Sequence, residues 1–220
     1  MKNQSELFGH PKGLFYLFFA ELWERFSYYG MRALLTLYMV NEFFSWMTDE
    51  AYREEVSFGI FAAYGSLVYA TPVLGGMIAD KFIGFKKSIM LGGILMALGH
   101  FFMAFYFDTG MFGFEANSIN NFFFYAALAL LIIGNGFFKP NISSMVGRLY
   151  PEGDDRRDSG FTIFYMGINA GAFLAPLACG WLGYEFGWHY GFGAAGVGMI
   201  VRLLVFMKGM NDGIFGDNGN

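Results

Sequence analysis

The 220-residue chain is 55% hydrophobic and 21% aromatic. Only 15% of it is charged, against roughly 25% in soluble domains, which excludes an ordinary soluble globular protein. A net charge of −4 with no basic patch interleaved with exposed aromatics excludes nucleic acid as a partner, and Cys179 with the scattered His10, His100 and His189 gives neither a disulfide framework nor a metal site.

Hydropathy predicts an all-α membrane protein, a six-transmembrane-helix bundle with spans at 14–40, 56–79, 88–107, 122–147, 160–183 and 190–207. Residues 1–13 are expected as a cytoplasmic N-terminus and 208–220 as a cytoplasmic tail or the start of a linker. The first apolar run is too long and too charged for a secretory signal.

The first span carries Glu21-Leu22-Trp23-Glu24-Arg25-Phe26-Ser27-Tyr28-Tyr29-Gly30. At helical spacing Glu21, Glu24, Arg25 and Tyr28 share one stripe, and Glu21 and Arg25 are an i, i+4 pair. A charge at membrane depth is costly, so it usually faces a protein-lined cavity and works there. The plainer alternative is a structural pair that offsets its own burial. Arg32 continues the stripe at a depth from which it can snorkel to the outer interface.

Asn41–Glu55 is acidic and contains Thr48-Asp49-Glu50, a helix start leading into the second span. That span holds Tyr69. The third holds His100, expected as a polar residue with its partners satisfied. In the fourth, Gly134-Asn135-Gly136 precedes Phe137-Phe138-Lys139-Pro140. The small residues there are expected to weaken the helix and leave room for a ligand. Pro140 frees carbonyls one turn earlier, which Lys139 could satisfy. The fifth span holds Tyr165 and Asn169. Gly167-xxx-Gly171 and Gly183-xxx-Gly187 are expected as small-residue helix contacts. Arg202, in the sixth span, has no partner legible in the sequence.

Lys and Arg set the orientation. Lys2, Lys12, Lys81, Lys86, Lys87, Arg148, Arg156, Arg157 and Lys208 fall on one side, and only Arg53 falls in the segments of the other (41–55, 108–121, 184–189). That asymmetry predicts cytoplasmic termini in the inner membrane. Counted from the inner ends at 1.5 Å per residue, Glu21, Glu24, Arg25, Tyr69, Lys139 and Asn169 lie roughly 10–16 Å deep. In a core about 30 Å thick that is just inside the midplane, where transporter sites lie. Tyr69 and Tyr165 could equally be packing aromatics, and Asn169 an interhelical hydrogen bond.

The residues resemble those of the proton-dependent oligopeptide transporters, a branch of the major facilitator superfamily. Glu21-xx-Glu24-Arg25-Phe26-x-Tyr28-Tyr29-Gly30 is similar to that family's first-helix signature. Gly75-Gly76-Met77-Ile78-Ala79-Asp80-Lys81-Phe82-Ile83-Gly84 resembles the end of its second helix, and Phe138-Lys139-Pro140-Asn141 its fourth. Phe161 to Phe173 resembles its fifth-helix signature. The resemblance implies that Arg25 and Lys139 receive a peptide carboxylate, that Glu21 and Glu24 with Arg25 handle the proton, and that Tyr28, Tyr29, Tyr69, Tyr165 and Asn169 line the pocket. It also implies a gating loop at Gly76, Asp80, Gly84 and Lys87.

The implied activity is proton-coupled uptake of di- and tripeptides by alternating access, with a proton gradient and no cofactor. Two departures stand out. Animal members carry a second-helix histidine where this chain has Ala62. The family also has a second six-helix half, expected to supply the missing wall of the cavity and the partners of Asp80, Lys86 and Lys87. Rival readings are a transporter half for nitrate or another organic anion, and a non-transporting structural module. No Ser–His–acid set, metal cluster or phosphate loop points to an enzyme.

Overall fold

The computed structural model describes residues 6–105 and 116–216. Six long helices follow a short hairpin. They are α1 (Lys12–Tyr38), α2 (Glu50–Ile83), α3 (Phe85–Ala104), α4 (Ala116–Arg148), α5 (Arg156–Phe186) and α6 (Trp188–Asn211). Asp49 caps α2 by accepting from the Tyr52 N–H at 3.2 Å, so the acidic lead-in is the first turn of the span itself. Wide π-helical turns end α1 (Met39–Phe43) and α2 (Ala79–Ile83), and one interrupts α5 at Pro176–Gly180, where proline cannot donate to the helix ladder. The end of the expected third span, 106–107, lies outside the described residues, as does most of the outer segment expected at 108–121.

Helices α2 to α6 are long and apolar enough to cross a membrane. The 27 residues of α1 span about 40 Å, but Glu21, Glu24, Arg25 and Arg32 lower its hydropathy. Val73, Leu74, Phe173 and Leu204 are among the large apolar side chains exposed on the bundle, as a chain surrounded by lipid allows. The chain is a multi-pass membrane protein.

Helix α1 packs along α5 and α6, α3 along α4 and α6, and α2 along α4. By contrast, α1 barely touches α2 or α4, and α4 barely touches α5. Two three-helix layers are therefore joined along the α3–α6 seam and part along a face made by α1, α2, α4 and α5.

Glycines set these contacts. A Cβ on Gly171 would overlap the Leu22 carbonyl of α1, and one on Gly167 would lie 2.9 Å from the Phe18 carbonyl. That pair is the expected small-residue contact. Gly183 meets Leu34, but Gly187 (φ +108) has nothing against it and instead makes the turn between α5 and α6. The space beside Gly134 and Gly136 is filled. Gly134 faces Met96 and the Gly92 carbonyl of α3, and Gly136 faces Thr71 of α2. These glycines bring helices together and leave no room for a ligand.

The N-terminal hairpin was not legible. Strands β1 (Glu6–Leu7) and β2 (His10–Pro11) are joined through Phe8 (φ 51) and Gly9 (φ 77), the left-handed pair of a type I′ turn. Arg156 grips it, donating to Glu6 Oε1 at 2.8 Å and the Gly9 carbonyl at 3.0 Å while pairing with Asp154 at 2.8 Å. The Arg156 hydrogen bonds hold the Asp154 carboxyl down at about 2. At the other end, Phe215 is buried against Phe206 at 5.3 Å, and Lys86 donates to the Gly216 carbonyl at 2.5 Å. Lys86 therefore has one hydrogen-bond partner within this chain.

Candidate functional site

The α1 stripe is buried as a unit. Glu21, Glu24, Arg25 and Tyr28 are each at most 6% exposed. Helical spacing brings both carboxylates onto one guanidinium: Arg25 Nε lies 3.0 Å from Glu21 Oε1 and pairs closely with Glu24 Oε2. The Arg25 guanidinium carbon sits 5.3 Å from the Tyr28 ring centroid, and Tyr28 meets Tyr29 edge-on at 5.2 Å. A buried carboxylate–guanidinium cluster of this kind is held by its own ion pairs, and removing one partner leaves another charge uncompensated.

Lys139 comes to the same face from α4. Its ammonium lies 4.7 Å from the Tyr69 ring centroid of α2, a cation–π contact. It thus lies over an aromatic face, while the Phe137 carbonyl nearby is taken by the Asn141 amide at 2.6 Å. Lys139 and Arg25 both act electrostatically on Glu21, so the two cations share one neighbourhood although they come from different layers.

Arg32 does not snorkel outward. It is half-buried, donates to the Tyr28 hydroxyl at 3.3 Å, lies 5.0 Å from the Phe61 ring centroid of α2 and is within hydrogen-bonding reach of Tyr69. It therefore bridges α1 and α2 on the open face. Tyr64 of α2, 3% exposed, is a further phenol near Tyr28 and Glu24 that sequence reasoning missed. Its spacing of five from Tyr69 breaks the helical period and hid it.

Tyr165 and Asn169 lie exposed on α5; the Tyr165 ring packs on Phe161 and Phe164 of its own helix. The four residues expected as a gating loop lie where α2 meets α3: Gly76 and Asp80 belong to α2, Lys87 to α3, and only Gly84 lies between the helices. Asp80 and Lys87 are exposed, and Gly84 (φ +82) takes the positive-φ backbone that starts α3. A cavity of about 430 Å³ there is lined by Asp80, Lys87 and Arg148. A Cβ on Gly76 would meet Pro140 at an ordinary 3.5 Å; its neighbour Gly75 makes the close approach, because a Cβ there would overlap the Gly136 carbonyl. His100 is not satisfied as expected: it is buried, and its Nδ1 meets no hydrogen-bond partner among the described residues.

A six-helix membrane bundle with one open face and a buried, charge-paired first helix is the N-terminal half of a major facilitator fold. Residues 86–214 match the POT family, and the chain belongs to that family. It is 47% identical to the peptide transporter YePEPT of Yersinia enterocolitica, over 90% of this chain and 37% of that protein. It is 41% identical to a di-/tripeptide transporter of Lactococcus lactis, over 94% of this chain and 39% of that protein. Among solved structures, a variant of peptide transporter POT in complex with alafosfalin superposes with a TM-score of 0.86 at 44% identity, covering 98% of this chain and 41% of that one. The chain spans about two fifths of the length of the relatives it matches.

Proposed function

We propose that the chain supplies the N-terminal half of a proton-coupled di- and tripeptide importer of the cytoplasmic membrane, with both termini on the cytoplasmic side. The observation that carries this reading is Arg25, held by Glu21 and Glu24 on the same face as Lys139.

A peptide's C-terminal carboxylate needs cationic donors, and Arg offers a two-point fork. In the empty site both carboxylates occupy Arg25. A proton taken up by Glu21 or Glu24 weakens its hold and frees the guanidinium for the incoming carboxylate. Lys139, resting on Tyr69, closes from the other layer. Tyr28 and Tyr29 supply apolar walls with polar tips, and Tyr165 and Asn169 extend them along α5. Protonation and peptide capture are thereby linked through one cation. No cofactor takes part and no covalent bond changes. The membrane potential adds about 2.3 kcal/mol per charge per 100 mV, ample for uphill uptake.

The second half supplies the opposing wall and the group that meets the peptide amine. At the inner end, Gly76, Asp80, Gly84 and Lys87 form the hinge and gate against it. The lipid bilayer completes the surroundings.

The test joins this chain in frame to the second six-helix half of the Yersinia transporter. The joined transporter, in proteoliposomes under an inward proton gradient, is expected to accumulate radiolabelled di-alanine. Excess di-alanine or tri-alanine should compete, and nitrate or free alanine should not. Competition by nitrate but not by peptide would overturn the substrate class.

A further inference from the structure

The turn of the N-terminal hairpin carries a residue that its backbone does not favour. Phe8 stands first in the type I′ turn at φ 51, a left-handed position that Asn, Asp or Gly takes at little cost and a bulky side chain does not. Its ring meets Phe15 edge-on at 5.9 Å, yet the residue is 85% exposed, so most of the ring is uncovered. The hairpin itself is pinned. Arg156 holds Glu6 and the Gly9 carbonyl, and His10 Nδ1 lies 2.8 Å from the Tyr150 hydroxyl. A strained position kept on a pinned element points to a use for the side chain it presents.

The surroundings say what covers that ring. Phe15 lies in the first turn of α1, three residues after Lys12, so Phe8 folds back to the level where the span begins. Phe19, one turn deeper on the same side, is 49% exposed. Gly167 and Gly171 of α5 close on Phe18 and Leu22 of α1, and Gly198 and Gly209 of α6 close on Ser27 and Tyr16. At 100° per residue Phe15 and Phe19 fall between these two contact lines, and Phe15 is half a turn around from Glu24. Residues Arg156–Ala175 of α5 barely touch α6, which leaves this strip of α1 uncovered between them. The strip is thus continuous with the apolar exterior of a membrane bundle and turned away from the buried charges.

We propose that the hairpin is a membrane-interface anchor. The Phe8 ring enters the boundary between headgroups and acyl chains, in the leaflet at the N-terminal end of α1, and continues the lipid-facing strip of Phe15 and Phe19. Its partner is the phospholipid bilayer. Apolar rings enter this layer readily, and Lys12 places a cation at headgroup level beside it. The anchor has a reason to act on α1. Of the six long helices described, α1 alone falls short of the hydropathy of a span, because it carries the ionisable stripe. Interfacial anchors set the depth and tilt of such a helix. Pinning its first turn fixes the level at which Glu21, Glu24 and Arg25 sit.

The test is spin labelling of the purified full chain in phospholipid nanodiscs, in a Cys179→Ala background. Labels are placed at Phe8→Cys, at Phe19→Cys as the lipid reference and at the exposed loop position Asp155→Cys as the water reference. Collisions with oxygen, which dissolves in lipid, and with a water-soluble nickel chelate are measured at each. Oxygen is expected to prevail at positions 8 and 19, and the nickel chelate at 155. A label at position 8 that behaves like the one at 155 overturns the proposal. So does one that neither probe reaches, in the chain or in the joined transporter, because protein then covers the ring. Should Phe8→Cys fail to fold, Phe8→Trp keeps an aromatic ring. Its added fluorescence is expected to be quenched by lipids brominated near the headgroup end of the chain, and quenching by iodide instead overturns the proposal. Phe8→Asn suits the turn better and removes the ring. In that variant the label at position 19 is expected to shift towards the nickel chelate; a hairpin that serves only its own fold would leave position 19 unchanged, and that result overturns the anchor.

Discussion

The ammonium of Lys139 lies 4.7 Å from the ring centroid of Tyr69, joining α4 to α2. An exposed-site cation–π contact contributes about 0.5–1 kcal/mol. Tyr69→Ala is therefore expected to weaken di-alanine binding to the joined transporter about two- to fivefold, with Tyr69→Phe losing less. Isothermal titration checks this; equal affinity in Tyr69→Ala would show that the ring does not hold the lysine for substrate.

Glu24 is fully buried against Arg25. Glu24→Gln keeps the shape and removes the titrating group. Peptide exchange between equal pools is expected to persist, while uphill accumulation under a proton gradient is lost. Accumulation at the native level would remove Glu24 from proton handling.

Neighbouring glycines should behave differently. A methyl on Gly75 overlaps the Gly136 backbone, whereas on Gly76 it meets Pro140 at 3.5 Å. Overpacking costs typically about 1–3 kcal/mol. Gly75→Ala is expected to lower the melting temperature clearly, and Gly76→Ala hardly at all. Equal shifts in the two variants would contradict the α2–α4 contact.

The Arg156 grip on the N-terminal hairpin has its own pH window. Asp154 is held from an ordinary 3.8 down to about 2 by Arg156 hydrogen bonds. The folded value is depressed, so the contribution is complete above 3.8 and is lost as pH falls through about 2. The hairpin clamp should therefore be indifferent to pH in the neutral range. Carboxyl-carbon NMR of labelled Asp154 is expected to titrate near 2 in the native chain and near 3.8 in Arg156→Ala, with faster amide exchange over 6–11 in that variant. A midpoint near 3.8 in the native chain would contradict the clamp.

Much of this was written into local patterns. Long apolar runs announced the six helices, and the spacing of Glu21, Glu24, Arg25 and Tyr28 announced one buried stripe. Depth counting along the helices brings Lys139 and Tyr69 to one level, and the two are in contact. What stayed hidden depends on pairs far apart in the chain. Arg202 finds Ile89 and Phe138 only once three helices meet. Arg32 turns inward because Phe61 and Tyr28 receive it, which no window of residues reveals. Gly134 and Gly136 read as local weakness, whereas neighbouring helices fill their space. The hairpin strands, two residues each, are too short to show any period.

The most direct measurement is proton-driven accumulation of di-alanine by the joined transporter carrying Arg25→Ala or Lys139→Ala, each checked for native folding by size-exclusion. Each variant is expected to lose accumulation while the unaltered protein concentrates the peptide. Native accumulation by a folded Arg25→Ala or Lys139→Ala protein would contradict the account.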